Sequence, residues 1–188
     1  SKIDWAIIGD SPKNPQKVEV LLSSVLNDFI EARLDMIEGI GFNVVAFEPV
    51  STALTRSILA SDATTPQMIL NIDSKATDLI IAMNGAPHLI RTIPIGSEAI
   101  TRAVMQSLDI DATQAQQFVF KFGVGKDKLE GKIYAAVIGV IDNLMAEVEK
   151  SVRFFSDRYA NSALERVIVT GGASVIPELP LYIANRFN

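Results

Sequence analysis

The run from Met68 to Ile95 constrains the fold more than any other stretch of the sequence. Met68 to Ile72 is a nearly continuous apolar run of strand-forming length, and Asp73 to Ala76 is a polar turn. Thr77 to Met83 resumes as a second strand and ends at Asn84-Gly85. That pair favours a type I′ hairpin turn, because both residues accept positive φ at little cost. Leu89 to Ile95 then pairs back. Pro87 has no N–H to give to a ladder, so it belongs near a sheet edge. A chain with three strands in so little sequence must build part of its core on a sheet.

The flanking segments alternate between helix and strand patterns. Trp5 to Ile8 and Val18 to Leu22 read as a hairpin with a long Pro- and Asn-containing loop. Asn27 is a candidate N-cap for a helix with Phe29, Ile30, Leu34 and Ile37 at helical spacing, stopped by Gly39 and Gly41. Val44 to Phe47 reads as a β-branched and aromatic strand that Pro49 ends, and Ser51 to Ala60 as a helix. Ser61 to Pro66 is a linker. Beyond the meander, Glu98 to Leu108 is a helix that Ser97 can cap, and Asp111 with Gln114 forms a capping box for a helix to about Phe122. A long helix spans about Leu129 to Tyr159. Ile133, Val137, Val140, Ile141, Leu144, Val148, Val152 and Phe155 form its single apolar stripe. Val167 to Val169 reads as a buried strand, Gly171-Gly172 as a tight turn, and Pro177 toward Phe187 as a last helix. The fold class is α/β.

Composition removes several function classes. With 188 residues, 48 % hydrophobic and 21 % charged, the chain can bury a substantial core. Its net charge of -5 argues against nucleic acid as a partner, since phosphates select basic patches. There is no cysteine, so thiolate metal sites and disulfides are excluded, and His88 is the only histidine. It follows Pro87 near a hairpin and reads as a solvent-facing side chain rather than a base. No catalytic residue and no metal ligand set emerge from the pattern. No apolar run approaches the roughly 20 residues that span a bilayer, so membrane association is expected only through partners.

Three segments carry ligand chemistry. Asn71, Asp73, Ser74, Lys75, Ala76 and Thr77 surround a tight turn that can present backbone N–H groups and a hydroxyl to phosphate, or serve as an ordinary hairpin. Gly171, Gly172, Ala173 and Ser174 end a strand where glycine lets backbone approach a flat ligand closely, or simply turns the chain into a helix. Gly96 allows a sharp turn between the hairpin and the next helix.

In this order, these segments resemble the second half of the actin-like ATPase (ribonuclease H-like) fold. Within it, the chain resembles the PilM family of type IV pilus assembly proteins, with the division protein FtsA next. The resemblance rests on Arg91 to Thr101, Gln114 to Lys121, Thr170 to Ser174, and the upstream Gly41 to Pro49 with Ala53 to Arg56. It implies that residues 1–48 are part of an inserted 1C-like subdomain and that 49–66 are the helix and linker of domain 1. Residues 67–188 would be domain 2, with a 2B-like helical insertion at about 112–165. The family's first phosphate loop and the strand and helix after its last helix have no counterpart here. The chain is therefore expected to be truncated at both ends.

The same resemblance makes 71–77 the second phosphate loop and 171–174 the adenosine loop. The family pattern has Asp and Gly where this chain has Asn71 and Asp73. A carboxylate facing phosphate at about 4 Å repels it by on the order of 4 kcal/mol at an effective dielectric of 20, unless a divalent cation lies between. ATP and Mg²⁺ are thus implied for a full-length relative, and neither is expected in this chain. The implied function is a pseudo-ATPase scaffold, cytoplasmic at the inner face of the cell membrane. It would bind the cytoplasmic tail of a PilN-like inner-membrane pilus protein, with Val45, Phe47, Leu54 and Ile58 lining the groove. The alternatives are a nucleotide-hydrolysing enzyme of the same fold and an FtsA-like filament-former. Self-association of the chain is expected through its incomplete interface.

Overall fold

A computed structural model describes residues 1–60, 62–160 and 162–187. By its contacts the chain divides into two compact units. One holds Ser1–Thr64 with the hairpin tip Ala82–His88; the other holds Thr65–Ile81 and Leu89–Asn188.

In the first unit, β1 (Lys2–Asp10) and β2 (Val18–Val25) form an antiparallel two-stranded sheet with Trp5 opposite Leu22 and Ile7 opposite Val20. A bulge between Ile7 and Gly9 shifts the register. Directly opposed residues share a face, so Trp5, Ile7, Val20 and Leu22 make one apolar face, and all four are exposed. Helix α1 (Asn27–Gly39) follows, with Ile30, Leu34 and Ile37 half-buried along one side and no residue fully buried. Its N-cap is Leu26, not Asn27; Asn27 already has helical position, and no side chain caps the end. The strand expected at Val44 to Phe47 does not form: residues 42–49 are irregular. A strand exists only by pairing, and these residues pair with nothing among those described. Helix α2 (Val50–Ile58) starts after Pro49, and Arg56 clasps Glu48 in a two-pronged ion pair at 2.7 and 2.5 Å. Ser61, the first residue of the expected linker, lies outside the described residues.

The main sheet has the order β5-β4-β3-β6, from β3 (Gln67–Ile72), β4 (Thr77–Met83), β5 (Ala86–Ile93) and β6 (Arg166–Thr170). Asn84 (φ 52) and Gly85 (φ 74) give the hairpin its type I′ turn, and Pro87 lies on edge strand β5. β3 and β6 are parallel, with Met68 beside Val167 and Asn71 beside Thr170. Met68, Ile69, Leu70, Ile72 and Leu79 to Ala82 are wholly buried, as a sheet covered on both faces requires. β6 is less covered than its apolar sequence suggested: Arg166 is exposed and the other four residues are half-buried.

Three helices complete the core of this second unit. They are α3 (Ser97–Leu108), α4 (Ala112–Phe122) and α5 (Lys132–Arg158). Asp111 caps α4 by accepting the Gln114 N–H at 2.9 Å, and Gly123 (φ 57) ends it against the Pro177 carbonyl. Helix α5 buries Ile133, Val137, Ile141, Leu144, Val148 and Phe155, with Val140 and Val152 half-buried beside them. Each fully buried side chain of this size contributes about 1.5–3 kcal/mol, so the stripe anchors the helix in the core of this unit. Arg91 on β5 joins it, donating to the Ser151 hydroxyl at 3.0 Å and to the Glu147 carboxylate. The last helix, α6 (Leu179–Ala184), is only six residues long.

His88 corrects the sequence reading in a different way. Its side chain is 3 % exposed, and Nδ1 lies 3.4 Å from the carboxylate of Glu19, itself buried on β2. Solvent does not face it.

Candidate functional site

The parallel pair β3–β6 delivers both loops to one place, the carboxyl ends of adjacent strands, where open α/β sheets bind ligands. Asn71 and Gly171 meet there. Gly171 has φ +84, and a Cβ on it would stand 2.6 Å from the Ile72 carbonyl oxygen and 2.8 Å from Asn71 Oδ1. Only glycine fits that conformation and that space. Gly172 is open, with nothing within 4 Å of a Cβ, and Ala173 is buried. The Ser174 hydroxyl donates back to the Gly171 carbonyl at 2.7 Å, so it closes its own loop.

Several donors of the β3–β4 turn are tied within the protein. The Asp73 N–H donates to the Ala76 carbonyl at 3.0 Å, and the Ser74 N–H donates to Asp73 Oδ1 at 2.8 Å. The Thr77 side chain is wholly buried, and its hydroxyl donates to the Ile95 carbonyl at 2.7 Å. The first N–H groups of α3, from Ser97 and Glu98, each donate at 2.9 Å to the carbonyls of Asp73 and Ser74. That is how α3 is capped. The expected Ser97 side-chain cap is absent, and Gly96 is the N-cap. Gly96 sits so close to the turn that a Cβ would lie 2.5 Å from both the Asp73 and Ser74 carbonyl oxygens. Lys75 stays exposed at the tip. As folded, the turn therefore offers a phosphate neither the Ser74 N–H nor the Thr77 hydroxyl, and it presents the Asp73 carboxylate. Among the described residues, no three His, Asp or Glu side chains gather as a metal cluster.

The expected groove residues are less ordered around a single feature. Val45 is 90 % and Phe47 43 % exposed on the irregular 42–49 stretch, while Leu54 and Ile58 are half-buried on α2.

A feature the sequence did not disclose is an open cavity of about 460 Å³ lined by Val124, Lys126, Tyr134, Leu181, Tyr182 and Arg186, among others. The Tyr182 hydroxyl donates to Asp142 at 2.6 Å, and Arg186 holds Glu149 at 2.7 Å. Burial first, and the Asp142 carboxylate second, push the Tyr182 phenol up to about 12. No motif marks this cavity, because its walls come from three separate segments.

With the geometry in hand, the relatives become informative. A family model described as type IV pilus assembly protein PilM matches residues 1–188. The chain belongs to this family. Solved structures agree on the fold. A "PilM-PilN type IV pilus biogenesis complex" matches 99 % of this chain and 54 % of that one, at 21 % identity and a TM-score of 0.74. MreB 5 of Spiroplasma citri bound to AMPPNP matches 88 % of this chain and 59 % of its own, at 16 % identity and a TM-score of 0.68. The ethanolamine utilization protein EutJ from Carboxydothermus hydrogenoformans matches 87 % and 55 %, at 17 % identity and 0.64. The chain thus has the actin-like ATPase fold and spans little more than half the length of these chains. No helix among its described residues is long and apolar enough to cross a membrane.

Proposed function

We propose that this PilM-family chain is a cytoplasmic scaffold of type IV pilus assembly that holds the tail of a PilN-like inner-membrane partner. The observation that carries this reading is the family match over all 188 residues. The solved complex of a protein of the same fold with PilN supports the choice of partner. In this reading the chain lies at the inner face of the membrane through that partner. Its residues 1–48 belong to an inserted subdomain, 49–66 to domain 1 and 67–188 to domain 2. Nucleotide binding is degenerate, and the self-tied turn at Asp73 supports that.

In this reading the tail docks on the exposed Val45 and Phe47, with Leu54 and Ile58 half-buried on α2. Exposed large apolar side chains are the kind of surface that marks a protein contact. Fluorescence anisotropy with a labelled peptide of the partner's cytoplasmic tail tests it. Phe47→Ala and Val45→Asp should each weaken binding about tenfold, which is roughly 1.4 kcal/mol, more than the ~1 kcal/mol that most interface residues fail to reach. Unchanged affinity in both variants refutes the placement. For the nucleotide half, calorimetric titration with ATP–Mg²⁺ should show no micromolar binding, and its presence would sink that half.

A further inference from the structure

We propose that the Asp73 side chain is a built-in acceptor that replaces an outside anion. Its carboxylate holds the β3–β4 turn in the shape that a bound phosphate would otherwise have to hold, so the turn is set without nucleotide. This deepens the scaffold reading and rests on it.

Three contacts at the turn lead there. First, Oδ1 of Asp73 accepts the Ser74 N–H at 2.8 Å, so a donor that such a turn can offer an anion is already taken. Second, the Asp73 N–H is taken by the Ala76 carbonyl, so the turn closes on itself. Third, the Asp73 and Ser74 carbonyls accept the first two N–H groups of α3, with Gly96 packed hard against them. The positive end of that helix is therefore spent on the turn and not on an outside anion. The Thr77 hydroxyl faces inward to Ile95. A carboxylate in a backbone-amide turn and a phosphate in one satisfy the same donor, and here the carboxylate is covalently attached. The arrangement keeps β3, β4 and α3 in register at all times, which suits a protein that must hold a partner continuously rather than switch with a nucleotide cycle.

Amide NMR of the ¹⁵N-labelled chain is the test, with magnesium pyrophosphate as the probe and sodium chloride at matched ionic strength as the control. In the wild type, the amides of residues 73–76 should not shift with the probe at millimolar concentration. In Asp73→Gly, the Ser74 amide should exchange with solvent about three- to tenfold faster, as the loss of one net hydrogen bond dictates. It should also shift saturably with the probe. Asp73→Asn keeps an oxygen acceptor without the charge, so its Ser74 amide should stay protected. Circular dichroism checks that D73G folds, and Asp73→Ala replaces it if it does not. A saturable shift in the wild type overturns the proposal. So does a D73G amide that is protected as in the wild type or ignores the probe, and so does a D73N amide that behaves as D73G does. Micromolar ATP–Mg²⁺ binding by the wild type would sink the degenerate-site reading itself. An unresponsive D73G, with no wild-type binding, sinks only the role of Asp73.

Discussion

Gly96→Ala is the sharpest probe of the joint between the meander and α3. Gly96 has φ -135, which alanine adopts freely, so backbone strain is not the issue. Space is. A Cβ would lie 2.5 Å from two backbone carbonyl oxygens, 0.9 Å short of the 3.4 Å at which ordinary contact begins. Neither oxygen can swing away as a side chain would, because each accepts an N–H from the first turn of α3 at 2.9 Å. Relief therefore moves the start of the helix and stretches both bonds beyond useful length. Losing two net hydrogen bonds costs about 1–3 kcal/mol, and overpacking costs typically another 1–3 kcal/mol. We expect a loss of about 2–6 kcal/mol, or a Tm lower by roughly 4–24 °C for a chain of this size. Urea unfolding followed by far-UV circular dichroism measures it. Gly172→Ala is the matched control, because nothing lies within 4 Å of its Cβ; it should change stability by less than about 0.5 kcal/mol. If G96A is as stable as G172A, the close packing of turn and helix described above is wrong.

Three further outcomes are expected from the same measurements. Gly171→Ala combines φ +84 with a 2.6 Å approach to the Ile72 carbonyl, so it should be at least as damaging as G96A by urea unfolding. Asp111→Ala removes the acceptor for the Gln114 N–H and should cost about 1 kcal/mol, read from the same curves. Tyr182→Phe should cost about 1–2 kcal/mol near neutral pH. The phenol's folded value, about 12, is raised above its ordinary 10. Its neutral form therefore stabilises the fold fully below pH 10 and loses that contribution as pH rises through 12. Stability of the wild type should fall over that window relative to Y182F, and parallel pH profiles would contradict the Asp142 contact.

How much of this was legible in the sequence depends on the range of each interaction. The turn at Asn84-Gly85 and the Asp111 cap are satisfied within a few residues, so local chemistry predicts them. The α5 stripe is also self-evident, since a period of 3.6 over many turns has only one helical explanation. Residues 44–47 have strand composition but no partner strand among the described residues, and composition cannot supply one. His88 looked like a surface residue because its partner, Glu19, lies far upstream on β2. Ser97 looked like a cap for the same reason: the true acceptors for α3, the carbonyls of Asp73 and Ser74, are remote in sequence. The site followed the same rule. The turn at 73–76 and the tight glycines at 96 and 171 were readable from residue type. What those atoms are bonded to was not, because the inward Thr77 hydroxyl depends on where Ile95 sits.

The parallel pairing of Gln67–Asn71 with Arg166–Thr170 has a consequence for how the chain reaches this state. The meander β3–β4–β5 can zip up as soon as its own turns are made, on the timescale of hairpins. The other side of β3 must wait for β6, which arrives only after three helices have been laid down. Closing so long a loop is entropically slow, and contacts of that sequence separation fall late in folding. Until then β3, the most fully buried strand of the sheet, presents an open edge. During synthesis that interval spans residues 94–165, and it is when the protein is most vulnerable to pairing with the wrong strand.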